Sequence, residues 1–389
     1  MAGTLRSRAR QTTRRGVQRA APARVAPRNL SASARRAARS QLDGVLPSSA
    51  YPATPWAARQ ADSDYGRPAT PSWREIDWSD HVRQVEVEGR TVRYVDLGEG
   101  DAPPVVFVHG LGGNWQNWLE NLPRVAEGRR ALALDLPGFG ESAMPTAKLS
   151  ISGYARILDA WLDRLGVGHV AAVGNSMGGF IAAELAIRYP ERVERLALVA
   201  AAGISITNLR RRPAMTVARA TMVIGALTAS RSRAIIARER LRHIVISPII
   251  RHPTLIAPDL LFEVMQGSGK PGYIDALDAL TSYDFRDRIG EIRAPALIVW
   301  GREDVLVPVN DADEYERLIP SSRQIVMDDT GHTPMLERPE HFNRCLVEFL
   351  SDETLVETTP TEVDAAEVDA AANGRPAPAA ERRRPAERQ

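Results

Sequence analysis

Three short stretches carry residue types that could break a carbonyl-centred bond. The first is VAAVGNSMGGF, residues 170–180, in which an apolar run ends in Gly174-Asn175-Ser176-Met177-Gly178 and a helix-like pattern follows. A serine in such a strand–turn–helix bend is held in a strained backbone with its hydroxyl exposed, and small neighbours are needed because a Cβ at 174 or 178 would collide. At a helix start, backbone N–H groups point toward developing negative charge. The second is VVFVHGLGGN, residues 105–114, a strand running into a glycine-rich loop. Such a loop can set a peptide N–H opposite a nucleophile, so the N–H groups of Leu111 and Met177 are the candidate oxyanion donors. His109 in that loop reads as a structural brace.

A serine hydroxyl is a poor nucleophile near neutral pH and needs a base that an acid orients. The third stretch, DDTGHTPMLERPEHF at 328–342, supplies His332 in a Gly-flanked loop ahead of a helix starting near Pro339. None of His81, His169, His243, His252 or His341 sits after a core strand with a glycine before it. ALIVWGREDVLVP, residues 296–308, ends a buried run at Gly301 with Glu303 and Asp304 just beyond. Asp304 is the preferred acid by its place before Val-Leu-Val-Pro, with Glu303 as the fallback.

These groups need a scaffold. QVEVEG and TVRYVDLG alternate apolar and polar residues across Glu88-Gly89, a hairpin pattern. The runs PVVFVHG, ALALDL, VAAVGNS, LALVAAAGI and ALIVWG are continuously apolar, as strands buried on both faces of a parallel sheet are. Between them, residues 151–165 place Ile151, Tyr154, Ile157, Leu158, Trp161, Leu162 and Leu165 on one helical face, and 178–189 and 311–319 read similarly. Strand–helix alternation implies an α/β fold with a mostly parallel sheet. Residues 206–287 break the alternation: helix-like pieces (TVARATMVIGALTAS, SRAIIARERLRHIVI, DLLFEVMQG, GYIDALDALTSY) are separated by prolines, which reads as an inserted helical cap.

The chain has 389 residues, of which 44% are hydrophobic and 25% charged, so it is neither wholly disordered nor collagen-like. No stretch reaches the ~20 nearly uncharged apolar residues of a membrane span. A single cysteine, Cys345, excludes an internal disulfide and a cysteine-based zinc site and fits a reducing, cytoplasmic setting. The net charge of +2 hides an asymmetry. Residues 1–42 hold eleven arginines and no acid, whereas 351–389 hold nine acids and five arginines. Residues 1–80, Arg/Ala/Ser-rich and then Pro-rich, show no sustained period and are expected to be a disordered arm; 351–389 is expected to be a disordered tail. The arm is compositionally like a transit peptide, but no apolar stretch of roughly 7–15 residues follows Arg14-Arg15 as a secretory signal requires.

With HGLGG, DLPGFGES (135–142), GNSMGG, GREDVLVP and GHTPMLERPEHF in this order, residues 82–350 resemble the α/β-hydrolase superfamily. The resemblance implies an eight-stranded, mostly parallel sheet whose first two strands are the hairpin. It also implies a cap after the sixth strand, a triad of Ser176, Asp304 and His332, and a structural Asp135. The core is then 81–205 and 288–350. Serine at 176 disfavours haloalkane dehalogenase and epoxide hydrolase chemistry, which uses aspartate there. GNSMGG also resembles hydrolases of carbon–carbon bonds in ring-fission products, but Thr333 stands where those often carry Trp, and HGLGGN where many have a longer Gly-Pro loop. The expected activity is acyl-enzyme hydrolysis of a carboxylic ester of a largely apolar substrate, with carbon–carbon hydrolysis of vinylogous diketones or a non-catalytic binding role as alternatives. No metal or organic cofactor is expected. Residues 206–252 hold ten arginines and one acid, Glu239, together with Met215, Met222, Val223, Ile224, Leu227, Ile235 and Ile236. That composition suits a helical lid whose apolar stripe packs on the core with its Arg face solvated, or a lid over an apolar acyl pocket with its Arg face near anionic lipid or a negatively charged substrate. A small-molecule or lipid ester is the expected partner and nucleic acid is not; the oligomeric state is open.

Overall fold

The structure, a computed structural model, describes residues 56–205 and 232–352. The expected disorder of 1–55 and of 353–389, and the TVARATMVIGALTAS helix with Met215, Met222, Val223, Ile224 and Leu227, lie outside the described residues.

Eight strands form one sheet: β1 (Val82–Val87), β2 (Arg90–Leu97), β3 (Val105–Val108), β4 (Ala131–Leu134), β5 (Val170–Asn175), β6 (Val193–Val199), β7 (Ala296–Gly301) and β8 (Ser322–Met327). Their order is β1-β2-β4-β3-β5-β6-β7-β8. The β1–β2 and β2–β4 pairs are antiparallel and the rest parallel. The hairpin closes through Glu88 (φ 50°) and Gly89 (φ 72°), both left-handed, as a two-residue turn matched to strand twist requires. β3, β4, β5 and β7 are buried along their whole length, which is why they read as unbroken apolar runs.

Helices cover both faces. On one face, α1 (Ile151–Arg164) buries Ile151, Tyr154, Ile157, Leu158, Trp161 and Leu162, and its Ser150 Oγ caps the Gly153 N–H. Beside it runs α2 (Met177–Arg188), whose first eleven residues are all buried. On the other face Trp118 and, from the helix Pro339–Ser351, Phe342, Leu346 and Phe349 pack against Phe107, Val173 and Val299 of the sheet. Between β6 and β7, residues 232–287 form helices Ser232–Ala237, Glu239–Ile246, Pro258–Met265 and Tyr273–Ser282 and no strand.

The N-terminal arm departs from expectation. Disorder through residue 80 does not hold for 56–80, which make short 3-10 turns at Trp56–Arg59, Trp73–Glu75 and Trp78–Asp80 and pack on the core as a strap. Tyr65, Trp73 and Trp78 are buried. Burying each such ring stabilises by about 1.5–3 kcal/mol, so the three rings contribute toward the ordering entropy of the segment without any periodic pattern, and the polar pairs below supply the rest of its hold on the core. Polar pairing fixes the register. Buried Glu120 accepts from Trp73 Nε1 at 2.9 Å and from the Ala69 N–H at 2.7 Å. Arg74 makes a two-pronged pair with Asp259 of the cap at 2.8 and 3.0 Å, and Arg338 reaches Asp62 at 2.8 and 3.0 Å.

Candidate active site

Ser176 stands between β5 and α2 with φ 56° and ψ −120°, a region that L-residues avoid. The bend is possible because the glycines around it leave no side chain in the way. A Cβ at Gly174 would run into the carbonyl of Gly178, and one at Gly178 into that of Val108. The Ser176 side chain does not cap α2, and the residue is partly exposed in an otherwise buried run.

His332 and Asp304 meet. His332 Nδ1 lies 2.6 Å from Asp304 Oδ2. The other carboxylate oxygen, Oδ1, accepts from the N–H groups of Leu306 (2.8 Å) and Val307 (3.0 Å). With a carboxylate as its acceptor, Nδ1 carries the hydrogen and Nε2 keeps its lone pair. Both residues are nearly buried, at 5% and 8% exposed, so the pair works in a low-dielectric setting. Glu303 is turned elsewhere: its Oε2 accepts from the Thr330 N–H at 2.9 Å. The His332 loop lies against the serine bend, because Asn175 Nδ2 donates to the His332 carbonyl at 3.2 Å. Among the described residues, no hydrogen bond joins the Ser176 hydroxyl to the imidazole.

The glycine-rich loop after β3 faces the same bend. A Cβ built on Gly110 would sit 3.1 Å from Ser176 Cβ. Neither the Leu111 nor the Met177 N–H donates to any backbone acceptor among the described residues. His109 braces this loop. It is fully buried, its Nε2 accepts from the Leu136 N–H at 2.9 Å, and its Nδ1 therefore donates to the Gly110 carbonyl at 2.7 Å. Burial holds its pKa down, to about 4, so it stays neutral. Asp135 also serves shape: its two oxygens accept from the Trp115 and Glu141 N–H groups, both at 2.9 Å, and burial raises its pKa to about 7. Among the described residues no cluster of His, Cys, Asp or Glu could hold a metal ion, and no helix is long and apolar enough to cross a membrane.

Two functional candidates were not legible as such. Glu337 is completely buried and accepts from the N–H groups of Gly331 and Thr333, on either side of His332. Tyr65 of the strap donates to the same carboxylate at 2.6 Å. The four-residue spacing of Thr333 and Glu337 in TPMLE was the one available signal for the first; nothing local marks the second.

Residues 103–239 and 265–339 match the alpha/beta hydrolase fold family. The chain belongs to the α/β-hydrolase family. Among relatives of this α/β-hydrolase is 2-hydroxy-6-oxo-6-phenylhexa-2,4-dienoate hydrolase of Comamonas testosteroni, 32% identical over 283 residues, 69% of this chain and 94% of that protein. Another is the dihydrolipoyllysine-residue acetyltransferase component of the acetoin cleaving system of Pseudomonas putida, 30% identical over 277 residues, 69% of each chain. Among solved structures, a membrane phospholipase A described as a bacterial virulence factor superposes with a TM-score of 0.57 at 25% identity, over 71% of this α/β-hydrolase and 86% of that chain.

Proposed function

We propose that the protein is a serine hydrolase that cleaves a carboxylic ester of a largely apolar substrate. The observation that supports this best is the 2.6 Å Asp304–His332 pair, carried on a loop that Asn175 ties to the strained Ser176 bend. Ser176 Oγ attacks the acyl carbon while His332 Nε2 takes its proton. The N–H groups of Leu111 and Met177 receive the oxyanion. His332 then gives the proton to the departing alcohol, leaving an acyl-enzyme, and a water activated by the same imidazole releases the acid. Asp304 holds the tautomer and stabilises the imidazolium. Apolar residues stand near these groups: Leu111 in the loop after β3, the Tyr273 ring against Gly112, and Ile249, whose carbonyl binds the His332 N–H. The test is fluorophosphonate labelling mapped to Ser176, followed by p-nitrophenyl esters of rising chain length. Medium chains should exceed acetate; no adduct and no ester turnover would reject the reading.

A second reading is favoured by the 32% identity to a hydrolase of a phenylhexadienoate. The same residues would then hydrolyse a carbon–carbon bond of a vinylogous diketone. A ring-fission-product panel run beside the ester panel separates the two, the faster class by kcat/KM naming the activity.

We also propose peripheral contact with anionic membrane through the cap. Leu241 and Ile244 are exposed on the helix Glu239–Ile246, next to exposed Arg238 and Arg240, an apolar ridge with a cationic border. Retention on phosphatidylglycerol vesicles at low salt but not on phosphatidylcholine is expected; equal behaviour on both rejects it.

A further inference from the structure

The backbone around His332 is held mainly by one carboxylate. Glu337 Oε2 accepts from the Gly331 N–H at 2.8 Å, the Arg251 N–H at 2.9 Å and the Tyr65 hydroxyl at 2.6 Å. Its Oε1 accepts from the Thr333 N–H at 3.0 Å and the Thr333 hydroxyl at 3.1 Å. The His332 N–H itself donates to the Ile249 carbonyl at 2.9 Å. Tyr65 Oη, having given its hydrogen to Glu337, accepts the His252 N–H at 2.8 Å. The His252 ring then packs edge-on against Tyr65, centroids 4.9 Å apart, and its Nε2 reaches the Asp329 carboxylate at 2.8 and 2.9 Å. Three remote pieces of chain thus converge behind the imidazole: the strap at Tyr65, the cap at 249–252 and the loop 329–333.

The Tyr65 hydroxyl is the shared joint. It satisfies the buried Glu337 carboxylate on one side and a buried cap N–H on the other. Without it, the buried His252 N–H loses its acceptor and Glu337 Oε2 loses one of its donors, so the link from the strap and residue 252 to the Glu337 carboxylate is cut. Glu337 passes that change to Gly331 and Thr333, whose N–H groups it holds on either side of His332. Tyr65 also lies outside residues 103–239 and 265–339, where the family match falls, so its role belongs to this chain's own N-terminal strap.

We propose that Tyr65 and Glu337 are positioning residues for His332, locking the loop that carries it to cap residues 249–252, and that the strap 56–80 is for this reason a working part of the active site. The inference rests on the reading of His332 as the base. A scaffold role alone would lower the amount of folded protein without altering each folded molecule. A positioning role lowers the rate at every folded site.

The test is Tyr65→Phe in the full chain, which deletes one oxygen and keeps the ring in its contacts with His252. Folded sites are counted by circular dichroism and gel filtration against wild type. Per folded site, kcat on the preferred p-nitrophenyl ester and the rate of fluorophosphonate labelling at Ser176 should each fall at least tenfold, with KM within about threefold. Glu337→Gln should fall further, and where it does not fold, Tyr65→Phe decides alone. Unchanged kcat and labelling rate per folded site would overturn the inference. Absence of labelling in the wild type would instead reject the serine-hydrolase reading. In that case the downfield proton resonance of His332 Nδ1–H, identified by its loss in Asp304→Asn, carries the decision: it should shift or broaden in Tyr65→Phe if the loop is repositioned, and stay put if the inference is wrong.

Discussion

Asp304 and His332 share a 2.6 Å hydrogen bond, and the Leu306 and Val307 amides fix the aspartate from its other side. That double anchoring makes the tautomer of His332 a property of the fold. In Asp304→Asn the amide can keep its oxygen on the two backbone N–H groups only by turning its NH2 toward Nδ1, which then must accept. The hydrogen moves to Nε2, the position needed as base. We expect kcat to drop by ~10⁴ with little change in the melting temperature. Glu303 should not substitute, because the Thr330 N–H holds its carboxylate. A drop of less than tenfold in steady-state assays would show that the pair is not used.

Ser176 carries backbone strain. At φ 56° and ψ −120° a glycine is at ease where serine is not. Ser176→Gly should therefore raise stability by about 1 kcal/mol, the strain relief less glycine's own entropy cost, while turnover and fluorophosphonate labelling vanish. Ser176→Ala should lose turnover equally without that gain. Urea unfolding of the two variants side by side checks the relation; equal stabilities would mean that the bend is relaxed.

The sheet and the candidate residues Ser176, Asp304 and His332 were readable because each is written locally. A buried parallel strand must be apolar throughout, as Val105–Val108 and Ala296–Gly301 are, and a nucleophile bend must have glycine on both sides of its serine. The strap was not readable for a physical reason. Its anchors are Tyr65, Trp73 and Trp78, single rings at irregular spacing, and their polar partners Glu120 and Glu337 come from far along the chain. Nothing within residues 56–80 distinguishes such a segment from a solvated Pro-rich linker. Glu337 was hidden likewise: a glutamate in a short helix is ordinarily exposed, and only the assembled fold turns it onto the amides flanking His332.

Gly178 is closely approached by backbone, its α-carbon hydrogen pointing at the carbonyls of Val108 and His109. A methyl there cannot be accommodated by rotating a side chain, since the obstacles are backbone atoms of β3 and the loop after it. Gly178→Ala should cost at least ~3 kcal/mol or prevent folding, and any folded fraction should label slowly, because α2 would be pushed off the loop bearing Leu111. Gly128→Ala, where a Cβ meets nothing, is the matched control and should behave as wild type in thermal melts. Equal behaviour of the two would refute the packing argument.

His109 and Asp135 titrate against each other behind the candidate oxyanion loop. Burial lowers the His109 pKa from 6.5 to about 4, so the stability it confers is complete above pH 6.5 and is lost as pH falls toward 4. The penalty approaches ~3 kcal/mol at about 1.4 kcal/mol per pH unit. Burial raises the Asp135 pKa from 3.8 to about 7, so its contribution is complete below 3.8 and is lost as pH rises toward 7. Across the shared window the two changes have opposite sign, and the wild-type stability should vary little with pH on their account. Each substitution should uncover the other. The destabilisation caused by His109→Gln, measured by urea unfolding, should be largest at pH 7.5 and shrink toward pH 4.5. The destabilisation caused by Asp135→Asn should grow over the same interval. Parallel profiles for wild type and both variants would mean that neither group is held away from its ordinary pKa, and the neutral-imidazole account of the loop would fall with them.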